Sequence, residues 1–134
     1  MDSLKPWGVI LEPIHITIYL PPITKKNSQQ LLKVNGRMII APSRHYKIFE
    51  YHAGEFLELY KFLNIDEPVN VKCVYYMPTR RRVDLVNLQE ATLDVLTKYG
   101  VIKDDNCGIV MSMDGSRVFY DKKSPRTEID ITPV

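Results

Sequence analysis

The spacing of apolar residues changes along the chain in a definite order. His15-Ile16-Thr17-Ile18-Tyr19-Leu20 is β-rich and largely alternating, the mark of a half-buried strand, and Pro21-Pro22 stops it. The polar stretch ITKKNSQQ follows as a loop. LLKVNGRMII then sets two apolar arms about Asn35-Gly36, a dipeptide suited to the tight turn of a β-hairpin. Ser43 can cap a helix, and from Tyr46 to Phe62 the positions of Ile48, Phe49, Phe56, Leu57, Leu59 and Tyr60 suit one, with Gly54 as a weak point. Asn64 to Pro68 ends it, and Val69–Met77 predicts a long strand with a buried middle.

Pro78-Thr79 breaks that strand. A second helix is expected from Asp84 or Leu85 to Gly100, where glycine supplies the stop. IVMSMDGSRVFYD reads as strand-like runs bent at Asp114-Gly115, and a last strand over Arg126–Thr132 puts Ile129 and Ile131 on one face. This order predicts an α+β fold: a small mixed β-sheet with two main helices on one face, plus a β-hairpin. No repeat or linker interrupts it, so residues 1–134 are expected to form a single domain, long enough for one core.

Composition narrows the class. Apolar residues make up 45% of the chain and charged residues 25%, values of an ordinary globular protein rather than a disordered one. No run of about eighteen apolar residues exists, so no spanning helix and no membrane partner are expected. The first twenty residues, broken by Pro6 and Pro13, do not read as a signal peptide. Cys73 and Cys107 lack metal or disulfide spacing, and His15, His45 and His52 share no ligand spacing, so a cytoplasmic protein without a zinc site is expected.

The net charge of +2 is too small to announce a nucleic-acid binder, but its distribution matters more. Bases gather at Lys25-Lys26, at Lys33, Arg37, Arg44 and Lys47, and at Arg80-Arg81-Arg82. Patches of both signs fit a protein that holds polyphosphate with one region and a cation with another; a solvated mixed-charge surface is the competing reading. Tyr46, beside a basic segment, is the one tyrosine singled out as a base-stacking candidate.

The densest chemistry lies in RRRVDLVNLQEATLDVLTKYGVIKDD, residues 80–105. On a wheel of about 100° per residue, Leu85, Leu88, Val95, Leu96 and Tyr99 form a core face. Asn87, Glu90 and Asp94 fall in a stripe about 60° wide on another face. Asp84 stands at the helix mouth, where free backbone N–H groups can fix a carboxylate. Asp104-Asp105 follows just past Gly100, so a short turn can bring the pair back toward the helix. A hard divalent cation uses one or two carboxylates with waters and phosphate oxygens, and the neighbouring arginines can hold phosphate. The alternative is that Asp84 is only a cap and the stripe only a solvated face.

These residues also carry a resemblance. PTRRRVDLVNLQEATLDVLTKYGVIKDD resembles the core of the RusA family of Holliday junction resolvases, found in bacteria and their prophages, in which basic residues run into D-x-D-N-L-x-K, a helix with a further aspartate, a glycine and an aspartate pair. PPITKKN resembles the family's double-proline loop and PRTEIDI its last strand. The resemblance implies a Mg²⁺-dependent endonuclease, with Mn²⁺ as substitute, that resolves four-way junctions in DNA recombination and repair. It further implies a homodimer acting on branched DNA.

Matched position by position, Asp84 is the first catalytic aspartate, Asn87 the asparagine, and Asp105 the catalytic member of the pair, with Asp104 beside it. Val86 stands where the family has its second catalytic aspartate, and Glu90 where it has a lysine. Two readings follow: a protein that grips branched DNA without cutting it, or one in which Glu90, a turn beyond position 86, supplies the missing carboxylate. The second makes Asp84, Glu90 and Asp105 catalytic and adds Asp104 to the metal ligands. It gives Lys25, Lys26, Asn27, Arg80, Arg81 and Arg82 to DNA, with Asn87 and Asp94 as further site residues.

Overall fold

The computed structural model describes residues 12–25 and 29–134. Strand β1 (Ile14–Ile18) precedes a hairpin of β2 (Gln29–Val34) and β3 (Arg37–Pro42), then helix α1 (Arg44–Phe56), the long strand β4 (Val69–Met77) and helix α2 (Leu85–Lys98). Strands β5 (Val110–Ser112), β6 (Arg117–Tyr120) and β7 (Arg126–Pro133) complete the chain. β7 lies between β1 and β4, antiparallel to both, while β5 and β6 run parallel to successive parts of β4. The sheet is therefore mixed, and β2–β3 forms a separate two-stranded sheet. The α+β expectation holds, hairpin included.

Alternation along the strands decides which face the helices cover. On β7, Thr127, Ile129 and Ile131 are buried while Glu128 and Asp130 are not; on β4, Val69, Val71, Cys73 and Tyr75 are buried. Ile129, Ile131, Val69, Val71, Cys73 and Tyr75 join Ala53 and Leu57 of α1 and Leu88, Val95 and Leu96 of α2 in one core cluster. The Tyr75 hydroxyl donates to Thr92 Oγ1 at 2.7 Å, and Thr92 passes its own proton to the Leu88 carbonyl at 2.9 Å, so both buried hydroxyls are satisfied. Cys73 and Cys107 are free, and burial pushes the Cys73 thiol up to about 12, which keeps it protonated and inert. Among the described residues no helix is long and apolar enough to cross a membrane.

The local turn signals act as their chemistry requires. Asn35 and Gly36, at φ 51° and 78°, both take the left-handed conformation that a two-residue hairpin turn needs. α2 ends in a Schellman arrangement: Gly100 has φ 70°, its N–H donates to the Thr97 carbonyl, and the Val101 N–H donates to Leu96 at 2.9 Å. The bend at Asp114-Gly115 is held from β4, where Asn70 Oδ1 accepts from the Asp114 N–H at 2.8 Å and from Ser112 Oγ at 2.6 Å.

Two expectations are corrected. α1 ends at Phe56 rather than Phe62, because the following chain turns to bind the end of α2: the Phe62 N–H donates to the Tyr99 carbonyl and the Asn64 N–H to Gly100. Phe62 and Asn64 take left-handed backbone angles to do so. Gly54, read as a helix weak point, is a place of close approach, since a Cβ there would lie 2.6 Å from Tyr99 Cζ. The Tyr99 ring is held, because its hydroxyl donates to the Glu50 carbonyl at 2.8 Å.

Gly54→Ala tests that contact. Relieving a helix glycine gains up to about 1 kcal/mol, whereas overpacking a fixed neighbour costs about 1–3 kcal/mol. The variant is expected to melt below the wild type in thermal unfolding; a higher melting temperature would show that Tyr99 yields without cost.

Candidate functional site

The candidate residues hang from the two ends of α2 and from the loop after β1. Asp84 is the N-cap: with φ −88° and ψ 117°, its Oδ1 accepts the Val86 N–H at 3.0 Å. One carboxylate oxygen is thus committed to the helix. The arginines before it occupy an exposed loop between β4 and α2. A cleft of about 300 Å³ joins this loop to the double-proline segment and is lined by Pro22, Ile23, Thr24, Thr79, Arg81 and Arg82. A second cleft of about 280 Å³ opens on the other side of Arg81, against Val118, Phe119 and Tyr120. There the Arg80 guanidinium lies 4.2 Å from the centre of the Tyr120 ring, a cation–π contact that fixes its direction.

The polar stripe of α2 divides. Asp94 meets Lys25 at 3.6 Å, and the same ammonium lies 5.9 Å from the centre of the Tyr46 ring. Glu90 is exposed, as is Val86 at 65%, so an apolar side chain faces water one turn before an acid. Tyr46 is 1% exposed, which overturns its reading as a base-stacking residue. Its hydroxyl has no partner among the described residues. Burial first, then the nearby charges of Glu50, Asp94 and Glu90, raise its pKa and keep the phenol neutral. Lys98 binds Glu50 at 2.6 Å beside it.

At the far end of α2, the aspartate pair is asymmetric. Asp104 Oδ1 accepts the Asp105 N–H at 2.8 Å and Oδ2 accepts from the Asn106 amide at 3.1 Å. These bonds, the backbone one foremost, hold its carboxyl below the usual carboxylate range. Asp104 borders a cleft of about 280 Å³ with Asp66, Lys103 and Asn106. Asp105 is exposed.

The geometry therefore brings together Lys25 with Asp94, and Arg81 and Arg82 with the double-proline loop. It does not gather the expected acids: among the described residues no group of three or more His, Cys, Asp or Glu side chains is placed to hold a metal ion, so Asp84, Glu90, Asp104 and Asp105 form no such set. Lys26 and Asn27 lie outside the described residues. As a donor set the carboxylates suit a hard cation that keeps most of its water, since Mg²⁺ needs only one or two of them with substrate oxygens. Sequence reasoning missed Tyr120 and gave Tyr46 a different role. Both become relevant only through contacts with distant segments, Arg80 in one case and Lys25 in the other.

The chain matches the family model described as "Endodeoxyribonuclease RusA" over residues 14–132. It is similar to the crossover junction endodeoxyribonuclease RusA of Aquifex aeolicus, with 30% identity over 98 residues, covering 73% of this chain and 78% of that one. The corresponding protein of Enterobacteria phage 82 is 35% identical over 94 residues, covering 68% and 72%. That of Escherichia coli K12 is 53% identical over a shorter stretch of 38 residues, or 28% and 32%.

The unpartnered hydroxyl of Tyr46 gives a direct test. Tyr46→Phe removes a buried polar group and keeps the ring under Lys25, so stability in urea unfolding is expected to be unchanged or raised by about 1 kcal/mol. A loss of that size instead would mean that the hydroxyl is hydrogen-bonded in solution.

Proposed function

The chain belongs to the RusA family of endodeoxyribonucleases, and from that premise we propose that it resolves four-way DNA junctions by hydrolysing phosphodiester bonds with a divalent cation, Mg²⁺ or Mn²⁺. It does so as a homodimer in recombination and repair, each copy cutting one of two strands. The observation that carries this reading is the cleft in which Arg81 and Arg82 meet the double-proline loop, in the segment that leads into the capping Asp84. A positively lined cleft just before a capping acid suits a backbone phosphate entering near a metal ligand.

In this mechanism Asp84, through its uncapped oxygen, and the exposed carboxylate of Asp105 would be the donors to the cation, which would draw its remaining ligands from water and substrate oxygens because the described residues gather no set of three acids. Glu90 adds a carboxylate on the same helical face as Val86, one turn along. Asp104, with both oxygens engaged locally, orders the turn that presents Asp105, and is the weaker candidate ligand. When bound, the cation acidifies a water and neutralises charge developing on the phosphate. Arg81 and Arg82, with Lys26 and Asn27 as further candidates, fix the backbone. Arg80 is directed by Tyr120, and Lys25 by Asp94. Asn87 stands on the helix beside Glu90 and orients it or the bound phosphate. The grip-without-cutting alternative finds no support in the relatives, which are named as endodeoxyribonucleases.

Three outcomes are expected with a labelled synthetic junction. Asp84→Asn keeps a good N-cap, so its unfolding should match the wild type while nicking in Mg²⁺ falls about a hundredfold or more, the scale of several kcal/mol of charge stabilisation; nicking that survives the change places the chemistry elsewhere. Glu90→Gln is expected to remove cleavage and leave junction affinity nearly unaltered, and a fully active variant would reduce Glu90 to a surface acid. Arg81→Ala and Arg82→Ala should each lower the slope of log affinity against log salt by about 1. An unchanged slope in both would take the cleft out of phosphate binding.

A further inference from the structure

Three planar side chains lie in one row across three neighbouring strands. Register pairs both Arg126 of β7 and Phe119 of β6 with Tyr76 of β4, on the face of the sheet turned away from the helices, since Tyr75 and Thr127 beside them are buried on the other. The Arg126 guanidinium lies 3.8 Å from the centre of the Tyr76 ring, and the Tyr76 and Phe119 rings stack at 5.6 Å with 27° between their planes. Arg126 is fixed from behind: it donates to Glu128 Oε2 at 2.7 Å, to Asp121 Oδ2 at 3.0 Å and to the Ser124 carbonyl at 2.8 Å. The row is therefore anchored at one end. At the other it is unfinished, because among the described strands β6 pairs with β4 alone and Phe119 stays 46% exposed.

The charge around the open end is positive. Arg117, two residues before Phe119 on the same face, is exposed, and so are Lys122 and Lys123 in the turn after β6. Asp121 Oδ1 holds that turn, accepting the Lys123 and Ser124 N–H groups at 3.2 Å each. The acids beside the row, Asp121 and Glu128, are already bound to Arg126. On the opposite face of β6, Tyr120 carries Arg80, and the cleft between them reaches Phe119 as well. A singly exposed ring is ordinary; one that ends an anchored stack among cations has the make-up of a platform for a base.

We propose that Phe119 stacks an unpaired nucleobase of the DNA substrate, with the flanking phosphates drawn to Arg117, Lys122 and Lys123. This rests on the DNA-cutting reading above and adds a second contact to it, at the edge of the sheet, that recognises an opened strand and not a duplex. Every base has a flat face that a ring accepts, but in a duplex the neighbouring pairs cover both faces, so only a base freed from its stack reaches Phe119. An apolar protein surface is the weaker occupant, because covering Phe119 would bury the surrounding cations without partners.

Fluorescence anisotropy with labelled oligothymidine and with a duplex of equal length, both in EDTA so that nothing is cut, tests the platform. The wild type is expected to bind the single strand. Phe119→Ala should weaken that binding about five- to a hundredfold and leave duplex affinity within about twofold. Phe119→Tyr should bind as the wild type does, whereas Phe119→Leu, apolar but without a ring, should lose as much as the alanine variant; this pair carries the test if Phe119→Ala folds poorly. Lys122→Ala with Lys123→Ala should lower the slope of log affinity against log salt on the single strand by about 1 to 1.5, and an unchanged slope overturns their part. A wild type that ignores the single strand, a Phe119→Ala protein that keeps its affinity or loses both DNAs equally, or a Phe119→Leu protein that binds like the wild type overturns the proposal. Junction nicking in Mg²⁺ is scored separately: a protein that cuts nothing yet needs Phe119 for the single strand sinks the resolvase reading and leaves the platform standing.

Discussion

Everything functional in this chain depends on how α2 is fixed to β4. Leu88, Val95 and Leu96 are buried against the strand, and Tyr75 reaches up from the sheet to Thr92, so neither rotation nor sliding of the helix is free. Burial of three aliphatic side chains contributes several kcal/mol, at about 1.5–3 kcal/mol each, while the hydroxyl pair adds direction more than strength. Once the helix is fixed, so are its ends. Asp84 closes the first and Gly100 the second, and the turn beyond Gly100 delivers Asp104 and Asp105.

The same helix explains why the charged residues are not interchangeable. Asp94 and Glu90 sit on neighbouring turns, yet one is matched to Lys25 and the other faces water beside Val86. Tyr46 lies under this charged edge with its phenol kept neutral by burial and by three surrounding acids. Lys25 therefore offsets a locally negative surface as well as standing near the path proposed for DNA. The arginines differ in the same way: Arg80 is turned toward Tyr120, while Arg81 and Arg82 line the cleft shared with the double-proline loop.

The hairpin obeys a different logic. Its turn is dictated by Asn35-Gly36, and its strands pair in full register, so locally nothing is unresolved. Among the described residues it joins no other strand, so its exposed apolar side chains are left to water.

Much of this was legible along the chain. Alternation in β1, β4 and β7, the Asn-Gly turn, the glycine after α2 and the capping aspartate are local signals, because each is decided by backbone sterics or by hydrogen bonds within a few residues. The family motif was local too, gathered into residues 80–105. What the sequence did not determine were pairings across long separations: Arg80 with Tyr120 depends on β6 joining β4, and Lys25 with Asp94 on the loop folding over α2. The early end of α1 was hidden for the same reason, since Phe62 leaves the helix to bond with Tyr99, and Gly54 looked like a flaw until Tyr99 lay against it. Nor could spacing alone decide whether the acids at the two ends of α2 would converge, because that distance is set by how the helix and the turn after it pack on the sheet.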